Sequence, residues 1–244
     1  MIGMVLAAGA GRRLAPDTDN LPKTLLPVDG DRTILDVALG NLAQVGLEEV
    51  VVVTGFAADR IEERREDLAR RYGLRIETVF NPKAEEWNNA YSLWYARERF
   101  AEGVLMVNGD TVHPVSVEEA VLAARGDGDL VIAVDDVKTL GEEEMKVHLS
   151  AEGRLDRIHK SLEPSTAHGE YIGVTLIEPT AGERLAEALE ATWQRDPQMY
   201  YEDGFQELAD RGGQIVAASI GAVEWVEVDD HADLARAREV ACRC

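Results

Sequence analysis

A glycine-rich segment directly follows the first apolar run of the chain. Its sequence, LAAGAGRRL at residues 6–14, contains Gly9 and Gly11, and two arginines follow them. Glycine lets the backbone approach an anion closely, and successive backbone N–H groups can form a concave anion site. Leu14 replaces the third glycine of a dinucleotide-binding loop, and the lysine of a Walker A loop is absent. The segment therefore predicts binding of a phosphate chain.

A lysine bounded by prolines comes next in the chain. Lys23 lies in LPKTLLPV at residues 21–28, where Pro22 and Pro27 restrict the backbone. Lysine is a compact point charge suited to phosphate, and a restricted backbone lowers the cost of ordering it for binding. The alternative is an ordinary loop bounded by prolines.

Three carboxylates stand at the ends of predicted strands. Asp110 follows one strand, whereas Glu227 and Asp229 alternate on the same side of a late extended segment. Mg²⁺ prefers one or two carboxylates together with substrate phosphates, so Asp110 is a candidate ligand. The alternative for Asp110 is an Asx turn.

Strand and helix patterns alternate along the chain and must position these groups. The patterns predict strands at 2–6, 49–54, 74–80, 103–107, 130–134, 145–149, 154–160, 170–177, 214–220 and 224–228. They predict helices at 33–45, 57–72, 181–193, 201–211 and 231–240, the last capped by Asp230 with Asp233 in a capping box. Apolar strands between helices predict an α/β fold with a mostly parallel central sheet and helices on both faces. Ligands of such sheets bind beyond the carboxyl ends of the strands.

Composition limits the classes of partner. The 244 residues carry 25 Lys and Arg against 46 Asp and Glu, a formal net charge of −21, and 45% are hydrophobic. No basic stripe is available to neutralise nucleic-acid phosphates, and no apolar run approaches the roughly 20 residues that span a bilayer. Cys242 and Cys244 provide no disulfide framework, and no signal peptide is evident. We expect a cytoplasmic protein that binds neither nucleic acid nor membrane.

Together the two N-terminal motifs, L-A-A-G-x-G-x-R-L and P-K-x-L-L-P-V, resemble the nucleotidyltransferases that activate phosphorylated sugars and alcohols with a nucleoside triphosphate. The resemblance implies a Rossmann-like nucleotidyltransferase fold and assigns catalytic roles to Arg12 and Lys23. It places the nucleotide on the glycine loop, with Asp110 also beside it. The loop residues concerned are Leu6, Ala8, Gly9 and Gly11. It also implies a Mg²⁺ cofactor held by Asp110, Glu227 and Asp229.

The segment N-x-x-Y-S-L, residues 88–93, resembles the choline-phosphate cytidylyltransferase branch, whose bacterial relatives act on aminoalkylphosphonates and inositol phosphate. The resemblance implies CTP as the nucleotide, with Asn88 and Ser92 beside the base. Amide and hydroxyl groups can read the edge of a cytosine. The local alternative is a helix N-terminus capped by Asn88 or Asn89.

Further motifs point to the acceptor. Lys146 and Lys160 lie on consecutive predicted strands, where they are either surface charges or contacts to the acceptor's phosphate or phosphonate. Tyr201-Glu202 resembles the aromatic-acidic segment near the choline ammonium in the family, and such a pair suits an amine. A Trp-Asp pair is expected there in the phosphocholine type, so the acceptor stays open among phosphocholine, phosphoethanolamine, 2-aminoethylphosphonate, inositol phosphate and small carboxylated phosphonates.

The expected protein is a single domain over 1–244, with a nucleotide-binding half (1–135) and an acceptor- and metal-binding half (136–244). The expected reaction is the transfer of CMP from CTP to a small phosphate or phosphonate acceptor, with release of pyrophosphate. The alternatives are a sugar-1-phosphate uridylyl- or thymidylyltransferase and a non-catalytic nucleotide-binding regulatory protein on the same fold. The oligomeric state stays open.

Overall fold

A computed structural model describes residues 1–242, so Cys244 lies outside the described residues. Its strands are β1 (Ile2–Ala7), β2 (Pro27–Asp29), β3 (Arg32–Thr33), β4 (Glu49–Thr54), β5 (Arg75–Phe80), β6 (Val104–Asn108), β7 (Thr111–Val112), β8 (Leu130–Asp135), β9 (Lys146–Leu149), β10 (Leu155–His159), β11 (Gly169–Ile177), β12 (Ile215–Ser219) and β13 (Val226–Glu227). Its α-helices are α1 (Ile34–Gln44), α2 (Ala58–Tyr72), α3 (Asn89–Tyr95), α4 (Ser116–Ala123), α5 (Gly182–Arg195), α6 (Tyr201–Asp210) and α7 (His231–Ala241).

Capping residues set several helix boundaries. Asp230 accepts hydrogen bonds from the backbone of Ala232 and Asp233, while the Asp233 carboxylate accepts from the Asp230 backbone. The predicted capping box at the start of α7 is therefore confirmed. Gly73 ends α2 in the left-handed conformation, as glycine readily does.

The described residues form two compact units. The first unit contains residues 1–86, 105–115 and 223–242, so the end of the described chain returns to its beginning. Its strands run in the order β6-β1-β4-β5, with β1, β4 and β5 parallel. Val50, Val51, Val52 and Val53 of β4 are fully buried, which explains the unbroken β-branched run. The antiparallel pair β7–β13 forms a separate small sheet.

The second unit contains residues 87–104 and 116–222. Its strand β8 lies between β11, which is antiparallel to it, and β12, which is parallel. Strand β9 pairs with β10 and β11 in antiparallel fashion. Helices α3, α5 and α6 pack on one another in this unit.

The predicted α/β class with a largely parallel sheet and flanking helices is confirmed. The structure adds the short strands β2, β3 and β7 and the helix α4, none of which the sequence pattern predicted. The prediction of one domain divided near residue 135 stays a prediction. None of the helices in residues 1–242 is both long and apolar enough to span a membrane.

Candidate active site

The glycine loop packs directly against Lys23. Gly11 has a φ of 59°, a conformation that side chains rarely adopt, and a Cβ added to it would lie 2.8 Å from the Lys23 Cβ. Thr18 Oγ1 donates a hydrogen bond of 2.8 Å to the Gly11 carbonyl. Gly9 is exposed, and a Cβ there would meet nothing within 4 Å. The loop therefore keeps an open backbone at Gly9 and a tight turn at Gly11.

Two further glycines hold the carbonyl end of β1. The Gly109 backbone donates to the Leu6 carbonyl at 2.9 Å, and a Cβ on Gly109 would lie only 2.5 Å from that oxygen. A Cβ on Gly55 would lie 2.8 Å from the Ala8 carbonyl, which accepts a 3.1 Å hydrogen bond from the Phe56 backbone. These contacts fix the backbone at Leu6 and Ala8, where β1 leads into the glycine loop. They also fix Gly109, the residue directly before Asp110.

Pairing between β7 and β13 brings the three carboxylates together. Glu227 stands opposite Thr111 in the register, and the Val228 backbone donates to the Asp110 carbonyl at 2.8 Å. Asp110, Glu227 and Asp229 each offer an oxygen within 4.8 Å of the others. The structure thus brings together the three carboxylates that the resemblance implied as metal ligands. They come from segments more than 100 residues apart in the sequence.

The Lys23 ammonium lies among these carboxylates. Its Nζ is 2.8 Å from Asp110 Oδ2 and 3.2 Å from Asp229 Oδ1, and the side chain is only 13% exposed. Burial alone would lower the pKa of Lys23, but the negative charges of Asp110, Asp229 and Glu227 outweigh it and raise the pKa to about 12. Lys23 is therefore a fixed positive charge at neutral pH.

Arg13, which was not among the predicted site residues, also reaches this cluster. Its Nη2 lies 2.8 Å from Asp229 Oδ2. Although burial opposes ionisation, Lys23 and Arg13 together hold the pKa of the Asp229 carboxyl below its usual range. Arg12 is exposed and forms no ion pair with the described residues. The motif could have identified Arg13, because the arginine next to the leucine in G-x-G-x-R-L is Arg13 and not Arg12.

The donor set fits a divalent cation. Asp110 Oδ1 is buried and accepts no hydrogen bond from the described residues, so a charged oxygen lies beside the cluster without a donor. Three carboxylates suit hard cations such as Mg²⁺. The Lys23 ammonium already lies within ion-pair distance of two of these carboxylates, which shows that the cluster attracts positive charge. The residues present therefore agree with a metal site at Asp110, Glu227 and Asp229.

In the second unit, Asn88 is a helix cap. Its Oδ1 accepts from the Asn89 backbone at the start of α3, and its Nδ2 donates to the Gln198 carbonyl at 2.9 Å. Asn89 Oδ1 accepts from the Tyr201 backbone at 2.9 Å. Ser92 is buried. The segments predicted to contact the base and the acceptor are therefore joined by hydrogen bonds, while the roles of Asn88 and Ser92 toward a nucleotide stay predictions.

Lys146 is fully buried, unlike the surface lysine that a strand pattern suggests. Its Nζ donates to the carbonyls of Gly141, Glu142 and Glu144 at 2.7–3.1 Å, so the ammonium holds the loop before β9 together. Its assignment to the acceptor stays a prediction, and these contacts describe a structural role.

Tyr200, rather than Tyr201, faces solvent. Tyr201 is fully buried, with its hydroxyl 3.2 Å from that of Tyr171, and Glu202 is 6% exposed. Tyr200 is 39% exposed, and Lys160 Nζ lies 5.6 Å from the centre of its ring. Lys160 is thus accessible beside an aromatic face, and the assignments of Tyr201 and Glu202 to the acceptor stay predictions.

Comparison with known proteins agrees with this geometry. The chain is 34% identical over 239 residues to a CMP-5'-(3-aminopropyl)phosphonate synthase of Streptomyces rubellomurinus, covering 94% of this chain and 37% of that protein. It is 32% identical over 106 residues to a choline-phosphate cytidylyltransferase of Streptococcus pneumoniae, covering 43% of each. The chain thus spans less than half the length of these two relatives.

A solved structure shares the fold. The inositol-1-phosphate CTP transferase from T. maritima superposes with a TM-score of 0.79 at 24% identity, covering 99% of this chain and 94% of that one. Residues 3–202 match the model of the MobA-like NTP transferase domain. The chain therefore belongs to the family of MobA-like NTP transferase domains.

Proposed function

We propose that this protein is a Mg²⁺-dependent cytidylyltransferase that transfers CMP from CTP to a small phosphate or phosphonate acceptor. The observation that carries the proposal is the contact of Lys23 with Asp110 and Asp229 beneath a glycine loop. Such a site combines backbone donors, fixed cations and metal-binding carboxylates, which is what a nucleoside triphosphate requires. Similarity to a phosphonate and a phosphocholine cytidylyltransferase supports CTP and this class of acceptor.

Positioning and charge neutralisation carry the proposed reaction. An oxygen of the acceptor attacks the α-phosphorus of CTP, a new P–O bond forms, and the bond to the β-phosphate oxygen breaks, so pyrophosphate leaves with the electron pair. The acceptor needs no general base, because the second pKa of a phosphate is about 6 and its oxygen is already anionic near neutral pH.

Each group of the first unit has a defined part in this reaction. Gly9 and Gly11 let backbone donors approach the triphosphate, and Lys23 and Arg13 offset negative charge that develops on the phosphates. Asp110, Glu227 and Asp229 would hold Mg²⁺, which when bound would supply further neutralisation of negative charge. Asp110 and Asp229 hold the Lys23 ammonium in place, and the absence of a side chain on Gly11 leaves room for Lys23 beside the loop.

Pyrophosphate release tests the proposal. CTP, UTP, dTTP and ATP are each incubated with phosphocholine, 2-aminoethylphosphonate, 3-aminopropylphosphonate, inositol 1-phosphate and glucose 1-phosphate in the presence of Mg²⁺. We expect release with CTP and at least one of the first four acceptors, and loss of release in Lys23→Met. Turnover only with UTP or dTTP and glucose 1-phosphate would show a sugar-phosphate transferase instead. Binding of CTP without any turnover would show a non-catalytic nucleotide-binding protein.

A further inference from the structure

We infer that Arg13 couples metal binding to nucleotide binding by occupying Asp229 until a triphosphate competes for its guanidinium. The inference rests on the proposed function, because it takes the carboxylate cluster as the metal site. It gives Arg13 a role toward the metal in addition to its proposed contact with phosphate, and it explains why Arg13 lies against the carboxylate of Asp229.

Both carboxylate oxygens of Asp229 already have cationic partners. Lys23 Nζ lies 3.2 Å from Oδ1, and Arg13 Nη2 lies 2.8 Å from Oδ2. Asp110 differs, because its Oδ1 accepts no hydrogen bond from the described residues. Within residues 1–242, Asp110 Oδ1 therefore has no donor to displace, whereas a cation must compete with Lys23 and Arg13 for the oxygens of Asp229.

The two partners of Asp229 differ in how readily they can leave. The Lys23 side chain is 13% exposed and also contacts Asp110, whereas the Arg13 side chain is 72% exposed. Exposed ion pairs are weak and screened by solvent, so Arg13 is the exchangeable partner. A triphosphate offers several anionic oxygens to a guanidinium, which binds phosphate in bidentate fashion.

Transfer of Arg13 from Asp229 to phosphate frees Oδ2 for the metal. Two ligands that favour the same arrangement raise each other's affinity by the same factor. The metal therefore binds weakly to the protein alone and firmly together with the nucleotide. This arrangement favours loading of the metal with its nucleotide.

Arg12 provides a matched control. It lies in the same loop and carries the same charge, but it forms no ion pair with Asp229. Arg12→Gln and Arg13→Gln each remove one positive charge near the cluster. A difference between them reports the contact with Asp229 rather than the net charge.

The first experiment measures Mn²⁺ binding to the protein without nucleotide, from the electron paramagnetic resonance signal of free Mn²⁺. We expect Arg13→Gln to bind Mn²⁺ at least about fivefold more tightly than wild type, the lower end of usual coupling factors. Arg12→Gln is expected to change the affinity less than twofold. Equal affinities of wild type and Arg13→Gln, or equal gains in both variants, would overturn the inference.

The second experiment measures CTP binding in EDTA by calorimetry, so that no metal contributes. Asp229→Asn releases Arg13 and is expected to tighten CTP binding several-fold in the wild-type background, but clearly less in the Arg13→Gln background. Equal gains in the two backgrounds would overturn the inference. Neither experiment uses an acceptor, so failure of pyrophosphate release would reject the proposed reaction and leave this inference to be judged separately.

Discussion

Gly11 lies so close to Lys23 that a Cβ on Gly11 would come within 2.8 Å of the Lys23 Cβ. The loop that is proposed to bind phosphates therefore packs directly against the lysine that is proposed to act on them. A side chain on Gly11 must therefore shift either Lys23 or the loop, and a shift of Lys23 would disturb its contacts with Asp110 and Asp229.

Gly11→Ala tests this arrangement. A side chain in the left-handed region costs roughly 1–2 kcal/mol, and displacement of Lys23 is expected to lower the rate of pyrophosphate release about 100-fold. Urea unfolding and the turnover assay measure the two effects. Gly9→Ala is the stability control, because a Cβ there meets nothing within 4 Å. An active Gly11→Ala protein would contradict the proposed role of this contact.

Asp110→Asn tests the carboxylate cluster. The change keeps the shape of the side chain but removes one negative charge, so we expect turnover to fall by about 100-fold or more while the fold is kept. Circular dichroism and thermal unfolding check the fold, and pyrophosphate release checks the rate. Near-normal turnover would rule out Asp110 as a metal ligand.

We expect His113 to make the stability of the protein depend on pH. Burial lowers the pKa of His113 to about 4, whereas in the unfolded chain the pKa is near its ordinary value of 6.5. The unfolded chain therefore takes up a proton first as the pH falls. Full stability is present above about pH 6.5, and about 3 kcal/mol is lost as the pH falls through 4.

Comparison of wild type with His113→Gln isolates this effect from the titration of carboxylates. The free energy of unfolding, measured by urea between pH 7 and pH 4, should fall more steeply in wild type by about 3 kcal/mol. Parallel profiles of the two proteins would show that His113 is not the cause.

The Asp36 side chain joins α1 to α2 and lies apart from the carboxylate cluster. It is fully buried and accepts hydrogen bonds from Thr33, Arg64, Arg71 and Tyr72. These donors outweigh burial and lower its pKa. We expect Asp36→Asn to destabilise the protein by about 3 kcal/mol without lowering the turnover of the folded enzyme.

Asp31→Asn is the matched control for Asp36→Asn. Asp31 also pairs with Arg71, but its side chain is 80% exposed, so its loss should leave the urea midpoint nearly unchanged. A large loss in Asp31→Asn, or none in Asp36→Asn, would contradict the importance of burial at this pair.

Asn89 is expected to position the segment around Tyr201. Its Oδ1 accepts from the Tyr201 backbone at the first turn of α6, a donor that has no partner within the helix. Asn89→Ala is expected to raise KM for the acceptor about tenfold, equal to one hydrogen bond of roughly 1.4 kcal/mol. Asn89→Asp keeps the accepting oxygen and should restore KM, and failure of this rescue would argue against positioning.

Local patterns predicted most of the long elements, because their signals lie within a few residues. The run at Val50–Val53 predicted β4 with its observed bounds, and Asp230 with Asp233 predicted the start of α7. Strands β7 and β13 are only two residues long and are held by pairing between distant segments, so β7 gave no pattern of its own. The assembly of Asp110 with Glu227 and Asp229 depends on that pairing.

Burial of polar groups was the least predictable feature. The pattern of a strand places Lys146 on a surface, but the preceding loop folds over its ammonium with three carbonyls. Tyr200 and Tyr201 are adjacent in sequence, and only the orientation of α6 decides which ring is exposed. Such choices depend on tertiary contacts that a single sequence does not display.

The return of residues 223–242 to the first unit has a consequence for synthesis of the protein. Gly11, Lys23 and Asp110 are translated more than 100 residues before Glu227 and Asp229, which complete the carboxylate cluster. A nascent chain therefore carries the phosphate loop long before it can complete the carboxylate cluster. A chain whose translation stops before residue 227 is therefore expected to keep the phosphate loop but to lack the assembled carboxylate cluster.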